Sequence, residues 1–208
     1  MRLGISTSCY YPEHLEFAVK NLVEHQVACI EVFVNTVSEF EPGFIRLLQG
    51  ILQGGNTEVV SVHPFTSGME FVLFFTDYQR RVDDGVEMYR KYFDVCSRLG
   101  GKYVVFHGVR RDIPCEDGVY FERFQLLYES ARSMGVELLQ ENVARCKSGD
   151  PAFIQKMRKA LGEQAHFVLD TKQCVRRGVE LEQMRAVMGD ALRHVHLSDC
   201  DVNHDRCV

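Results

Sequence analysis

The feature that most constrains this chain is a regular alternation of two periodicities. Short runs rich in β-branched and aliphatic residues recur as "LGIST" (3–7), "CIEVFV" (29–34), "VVSVHPF" (59–65), "YVVFHG" (103–108), "VELLQEN" (136–142), "HFVLDT" (166–171) and "LRHVHLSD" (192–199). Between them lie stretches with helical spacing. Val82, Val86, Tyr89, Phe93 and Cys96 recur every three to four residues, as do Phe121, Phe124, Tyr128 and Ala131. Helix punctuation falls at the seams: Asp150-Pro151 pairs an N-cap with a proline at the first helical position, and Gly100-Gly101, Gly135 and Gly162 follow expected helix ends. A βαβα pattern without linkers or low-complexity tracts predicts a single α/β domain over residues 1–208, with a parallel sheet and helices outside it.

Two architectures satisfy that pattern, an open doubly wound sheet and a closed (β/α) barrel. The nucleotide-binding open sheet needs a glycine-rich loop after its first strand, and "ISTSCYYPEH" contains no glycine after Gly4. A barrel of ~250 residues spends roughly 31 on each of its eight units, so this chain supplies about seven. The expected fold is therefore a (β/α)8-type TIM barrel that lacks its eighth strand–helix unit in the chain as it stands. Such a barrel exposes two parallel edges, so either the missing unit exists or something covers the gap. A homo-oligomer is one expected state.

Composition excludes several classes. With 24 Lys+Arg against 29 Asp+Glu the net charge is −5, which disfavours binding to nucleic acid. No run approaches the ~18 apolar residues of a membrane span. "MRLGISTSCYYPEH" lacks the apolar core of a signal peptide, so a cytoplasmic location is expected. The eight cysteines are scattered with no C-x-x-C, which reads as reduced thiols.

The strand ends carry the chemistry. The third run ends in His63, the fourth in His107, the fifth in Glu141, the sixth in Asp170 and the seventh in His196. Strand alternation puts Ser61 with His63 and His194 with His196 on common faces. If those faces look into a barrel, five polar groups converge at its C-terminal mouth, where such barrels keep their active sites. With 29 Asp+Glu and eight His in the chain, and about three acceptable positions at each strand end, independent placement would give five successive hits with a chance of roughly 2%. Mixed imidazole and carboxylate donors without cysteine suit a divalent ion such as Mn²⁺, Mg²⁺, Co²⁺ or Zn²⁺. Ser6 and Glu31, from the first two runs, either line the same cavity or pack in the core.

"SVHPF", "VVFHG", "LLQENV", "FVLDTKQ" and "HVHLSD" resemble, in order, the strand-end motifs of the xylose-isomerase-like barrel superfamily. That group includes sugar isomerases and epimerases of the tagatose-epimerase type and the endonuclease IV apurinic-site nucleases. The resemblance covers residues 59–199. It implies that Glu141, Asp170 and His196 bind one divalent metal, with a fourth ligand, an eighth-strand Glu, lying beyond Val208. It also implies that Glu141 is ligand and acid/base at once, while His63, His107, Lys172 and Gln173 contact substrate. Many relatives carry a His where this chain has Gln173, which makes a three-metal site less expected.

The chemistry implied is proton transfer next to a carbonyl. An α-hydroxy ketone held by a divalent cation has an acidified C–H, because the metal stabilises the enediolate oxygen. A neighbouring carboxylate can take that proton and return it. The substrate expected is a small ketose or sugar acid. Two alternatives stay open. An apurinic-site endonuclease is opposed by the acidic charge, by Gln173 and by Cys207, which stands where the "DRC" segment (205–207) differs from an Asp-Arg-His metal motif. A non-catalytic sugar-binding barrel is favoured if Val208 is the true end.

Three further segments carry open readings. The aromatic "TSGMEFVLFFTDY" (66–78) is a lid, a partner contact or core. The basic "GVRRD" (108–112) and "KQCVRR" (172–177) hold a substrate phosphate or acid group, or are solvated loop charge. Cys200, His204 and Cys207, at C-x3-H-x2-C spacing, make a weak structural zinc candidate.

Overall fold

The computed structural model describes residues 2–200 and the backbone of Asp205–Arg206. Seven parallel strands follow one another in the sheet in chain order: β1 (Ile5–Ser6), β2 (Cys29–Phe33), β3 (Glu58–His63), β4 (Tyr103–Phe106), β5 (Glu137–Glu141), β6 (Phe167–Asp170) and β7 (Leu192–His196). The connections carry α1 (Leu15–Glu24), α2 (Pro42–Leu52), α3 (Glu70–Leu73), α4 (Gln79–Arg98), α5 (Asp117–Ser133), α6 (Pro151–Leu161), α7 (Thr171–Arg177) and α8 (Leu181–Met188). Parallel neighbours in chain order, joined through helices, are the wiring of the TIM-barrel fold. All seven expected strands are present, and no eighth parallel strand occurs among the described residues. Two short segments, β8 (Asp199–Cys200) and β9 (Asp205–Arg206), pair antiparallel in a separate ladder. His204, Cys207 and the side chains of Asp205 and Arg206 lie outside the described residues.

Contacts divide the chain into two compact units. The first comprises residues 1–66, 87–104 and 130–137. Its β1 and β2 pair Ser6 with Glu31, and β2 and β3 pair Glu31 with Ser61 after a register shift at Ile30/Glu31. Leu15, Ala18, Val19 and Leu22 of α1 and Ile45 and Leu48 of α2 are buried at the i, i+3, i+4 spacing of an amphipathic helix. In the same unit α4 buries Tyr89, Tyr92 and Phe93, and Tyr92 meets the Phe40 ring edge-on at 4.9 Å. The Tyr92 hydroxyl, which would be costly to bury alone, lies 3.0 Å from that of Thr66.

The second unit comprises residues 67–86, 105–129 and 138–208. Here β5 and β6 pair Gln140 with Phe167 and Glu141 with Val168, and β6 and β7 pair Asp170 with His196. Helix α6 starts as the sequence predicts: Asp150 accepts a hydrogen bond from the Ala152 amide at 2.9 Å, and Pro151 follows it. The buried stripe of α5 runs through Tyr120, Phe124, Leu127 and Ala131. It is rotated from the expected 121/124/128/131, because the Tyr120 hydroxyl finds a buried acceptor, the Gln140 side-chain oxygen, at 2.5 Å.

Residues 66–78 are part core and part surface, with Met69 and Tyr78 exposed. Glu70 and Phe74 are fully buried, and the Phe75 ring stacks on Tyr120 at 4.9 Å. The described cysteines are all free thiols, and no described helix is long and apolar enough to cross a membrane.

Gly108 and Gly100 separate two costs of adding a side chain. Both have left-handed backbone, at φ +86° and +77°, but a Cβ on Gly108 would overlap the Tyr120 hydroxyl whereas one on Gly100 meets nothing. Gly100→Ala is expected to cost only about 1–2 kcal/mol of backbone strain. Gly108→Ala adds overpacking to that strain and is expected to cost about 2–5 kcal/mol. Urea unfolding of the two variants checks the difference.

Candidate metal centre

The ends of β5, β6 and β7 place three side chains together. Each strand presents its alternate residues to one face, so Glu141, Asp170 and His196 emerge side by side from adjacent strands. Each offers one ligand atom, and those atoms all lie within 4.8 Å of one another. His196 Nδ1 is 3.3 Å from Glu141 Oε1 and 3.8 Å from Asp170 Oδ2. His107, one residue past β4, brings its Nε2 to 2.6 Å from Glu141 Oε2. One carboxylate thus stands between two imidazoles, with a second carboxylate beside it.

Each donor is fixed by local structure. Asp170 ends β6 because it also begins α7: its Oδ1 caps the helix by accepting the Gln173 amide at 2.8 Å, while Oδ2 faces His196. His107 is held through its main chain. The buried Glu70 carboxylate accepts the His107 amide at 2.8 Å and also the Gly108 amide. The Gln140 side-chain nitrogen donates to the carbonyls of Phe106, His107 and Glu141 at 2.9–3.1 Å. Behind His196, the Thr171 hydroxyl and the main chain of Ser198 hydrogen-bond at 3.1 Å.

The other residues singled out by sequence are held as follows. His63 belongs to the first unit, where its ring stacks on Phe33 at 4.9 Å and its Nδ1 lies 3.2 Å from the Pro64 carbonyl. Glu31, in that unit too, accepts the Ser61 hydroxyl at 2.8 Å and the Ser6 hydroxyl at 3.2 Å. Gln173 commits its side-chain oxygen to the Ala144 amide at 2.9 Å, tying α7 to the loop after β5. Lys172 lies half-buried in the first turn of α7. Arg110 is occupied by Asp112 at 2.5 Å and lies over the Phe71 ring, as solvated loop charge does.

Sequence reasoning missed Glu70, Gln140 and Asn142, which hold backbone rather than face the centre. Glu70 did leave a signal. A lone acid inside an apolar run must be hydrogen-bonded if that run is core.

A family model described as xylose isomerase-like TIM barrel matches residues 19–208. No curated protein matches the chain in sequence. Among solved structures, a D-tagatose 3-epimerase-like protein superimposes with a TM-score of 0.79 at 18% identity, over 97% of this chain and 78% of that one. The 3-keto-D-glucoside 4-epimerase YcjR from E. coli gives 0.76 at 15% identity, over 96% and 79%. The IOLI protein, solved with a binding zinc atom, gives 0.73 at 15% identity, over 97% and 75%. At these identities the likeness establishes the fold.

The donor set fits a divalent cation on electrostatic grounds. Burial, and next the negative charge of Glu141, push the Asp170 carboxyl up from 3.8 to about 6, against the opposing pull of the Gln173 amide and His196. Two carboxylates packed at this depth repel, and a dication between them would remove the repulsion. Its absence has a pH signature. A carboxyl whose pKa is raised on folding costs stability once both states are ionised, so the penalty is full above about pH 6 and gone below about pH 4. In EDTA at pH 8, Asp170→Asn is therefore expected to stabilise the chain by about 2 kcal/mol. That gain should shrink as pH falls through 6, as thermal unfolding at several pH values will test.

Proposed function

The chain belongs to the xylose isomerase-like TIM barrel family, and we propose that it is a divalent-metal-dependent isomerase or epimerase of a small ketose or sugar acid. The observation that carries this reading is the convergence of Glu141, Asp170 and His196, with ligand atoms within 4.8 Å, at the ends of three adjacent parallel strands. These three would hold the cation, drawn from Mn²⁺, Mg²⁺, Co²⁺ or Zn²⁺. When bound, the cation supplies the positive charge that acidifies a C–H beside a carbonyl. Two of the solved neighbours support the substrate class by name, one described as a 3-keto-D-glucoside 4-epimerase and one as a D-tagatose 3-epimerase-like protein.

The remaining steps belong to the protein. Glu141 takes the proton from the carbon next to the carbonyl and returns it. His107, 2.6 Å from Glu141 Oε2, orients that oxygen and donates to it as charge shifts. Lys172 and the nitrogen of Gln173 are assigned to the sugar's oxygens. His63 keeps the substrate role that its motif gives it, a reading carried by the sequence alone. One base suffices to exchange a substrate proton, whichever face receives the new one.

Exchange is thus the direct test. Incubation with Mn²⁺ and a panel of ketoses in D₂O is expected to place deuterium on the carbon beside the carbonyl, and Glu141→Gln should slow it by at least about 10²-fold. No exchange across a broad panel would sink the reading. Metal binding is checked separately. EDTA-treated protein should unfold at higher temperature when Mn²⁺, Co²⁺ or Zn²⁺ is added, by an amount equivalent to about 2.7 kcal/mol at a hundredfold excess over Kd. His196→Ala should lose that response.

A further inference from the structure

Asn142 is the first residue past β5 and is 1% exposed. It follows Glu141, yet its side chain points at neither imidazole of the centre. Its Oδ1 accepts the Asp170 amide at 2.6 Å, and its Nδ2 donates to the Asp170 carbonyl at 3.0 Å. The same nitrogen reaches Cys174 Sγ at 3.1 Å. Main-chain pairing between β5 and β6 registers Gln140 with Phe167 and Glu141 with Val168, two residues short of Asp170. Past that point the Asn142 carboxamide takes both main-chain groups of Asp170, as a neighbouring strand would.

We propose that Asn142 is a positioning residue of the metal centre: it clamps the Asp170 main chain to the end of β5, so that the carboxylates of Glu141 and Asp170 keep a cation-binding separation although they repel each other. The inference rests on the cation reading of Glu141, Asp170 and His196. It follows from the donor inventory, because the clamp needs one acceptor and one donor on a short planar group. Aspartate at this position has the size but lacks the donor, and it would add a third negative charge beside two that already conflict. Alanine has neither group. Gln140 cannot substitute, since its side chain is spent on the carbonyls of Phe106, His107 and Glu141.

The test is a Co²⁺ titration of the full, EDTA-treated chain, followed by visible d–d absorption and by calorimetry. Asn142→Ala, folded by circular dichroism, is expected to bind Co²⁺ about 10–100-fold more weakly and with an altered d–d spectrum, which loss of general stability would not produce. Cys174→Ala removes only the sulfur contact and should leave affinity and spectrum as in the unaltered chain. A folded Asn142→Ala with unaltered affinity and spectrum overturns the proposal. If Asn142→Ala does not fold, Asn142→Ser decides by the same criterion, and failure of both to fold makes Asn142 a folding residue and overturns the proposal as well. If the unaltered chain itself binds no Co²⁺, the cation reading falls and this inference falls with it, an outcome distinct from the others.

Discussion

The repulsion between two buried carboxylates, Glu141 and Asp170, organises the second unit. The carboxylates lie against His107 and His196, which are charged only when protonated. A fold that buries like charges this way must hold them by their backbones, since the side chains push apart. The surrounding hydrogen bonds do that work. Gln140 gathers three carbonyls at the β4–β5 seam, Glu70 gathers two amides at the end of β4, and Asn142 takes both main-chain groups of Asp170. Every one of these residues is itself buried, and each spends side-chain polar atoms on main chain.

The first unit shows what a satisfied buried carboxylate looks like. Glu31 is buried too, but its two oxygens accept hydroxyls from Ser6 and Ser61. The strand register lines those three residues up across β1, β2 and β3. Neutral donors stabilise the charge without competing charges of their own, and the arrangement reads as a polar layer of the fold. Glu141 has another acid beside it, with imidazoles that can change charge. Burial alone does not distinguish the two glutamates. The serine hydroxyls on Glu31 and the second carboxylate beside Glu141 do.

That contrast explains how much was legible in the sequence. Strand ends are visible because a period of two, bounded by turn residues, fixes which residue comes last, and His, Asp and Glu are conspicuous there. All seven strands and the five strand-end donors are accessible on those grounds, while the choice of Glu141, Asp170 and His196 as one ligand set rests on the family resemblance. Residues that act on main chain are not accessible. Asn142, Gln140 and Glu70 have no periodic signature, and their partners are amides and carbonyls that every residue carries. Gln173 is a further case: no motif announces that its side-chain oxygen accepts the Ala144 amide. The aromatic run 66–78 is ambiguous because rings suit lids and cores equally, and the structure divides it: Phe74 is buried and Phe75 stacks on Tyr120, while Tyr78 is exposed.

Asp170 concentrates these demands in one residue. Its Oδ1 is spent on the first turn of α7 through Gln173, so rotation of the carboxylate to escape Glu141 would uncap that helix, at a cost of about 1 kcal/mol. Its main chain is held by Asn142 on one side and paired with His196 on the other. The acid is therefore trapped beside Glu141 by helix, strand and clamp together, with only Oδ2 presented to the centre. A side chain fixed on three sides against an electrostatic gradient is poorly suited to stabilising the fold by itself. It is well suited to receiving a cation without reorganisation, since the structure has already met the cost of bringing the donors together.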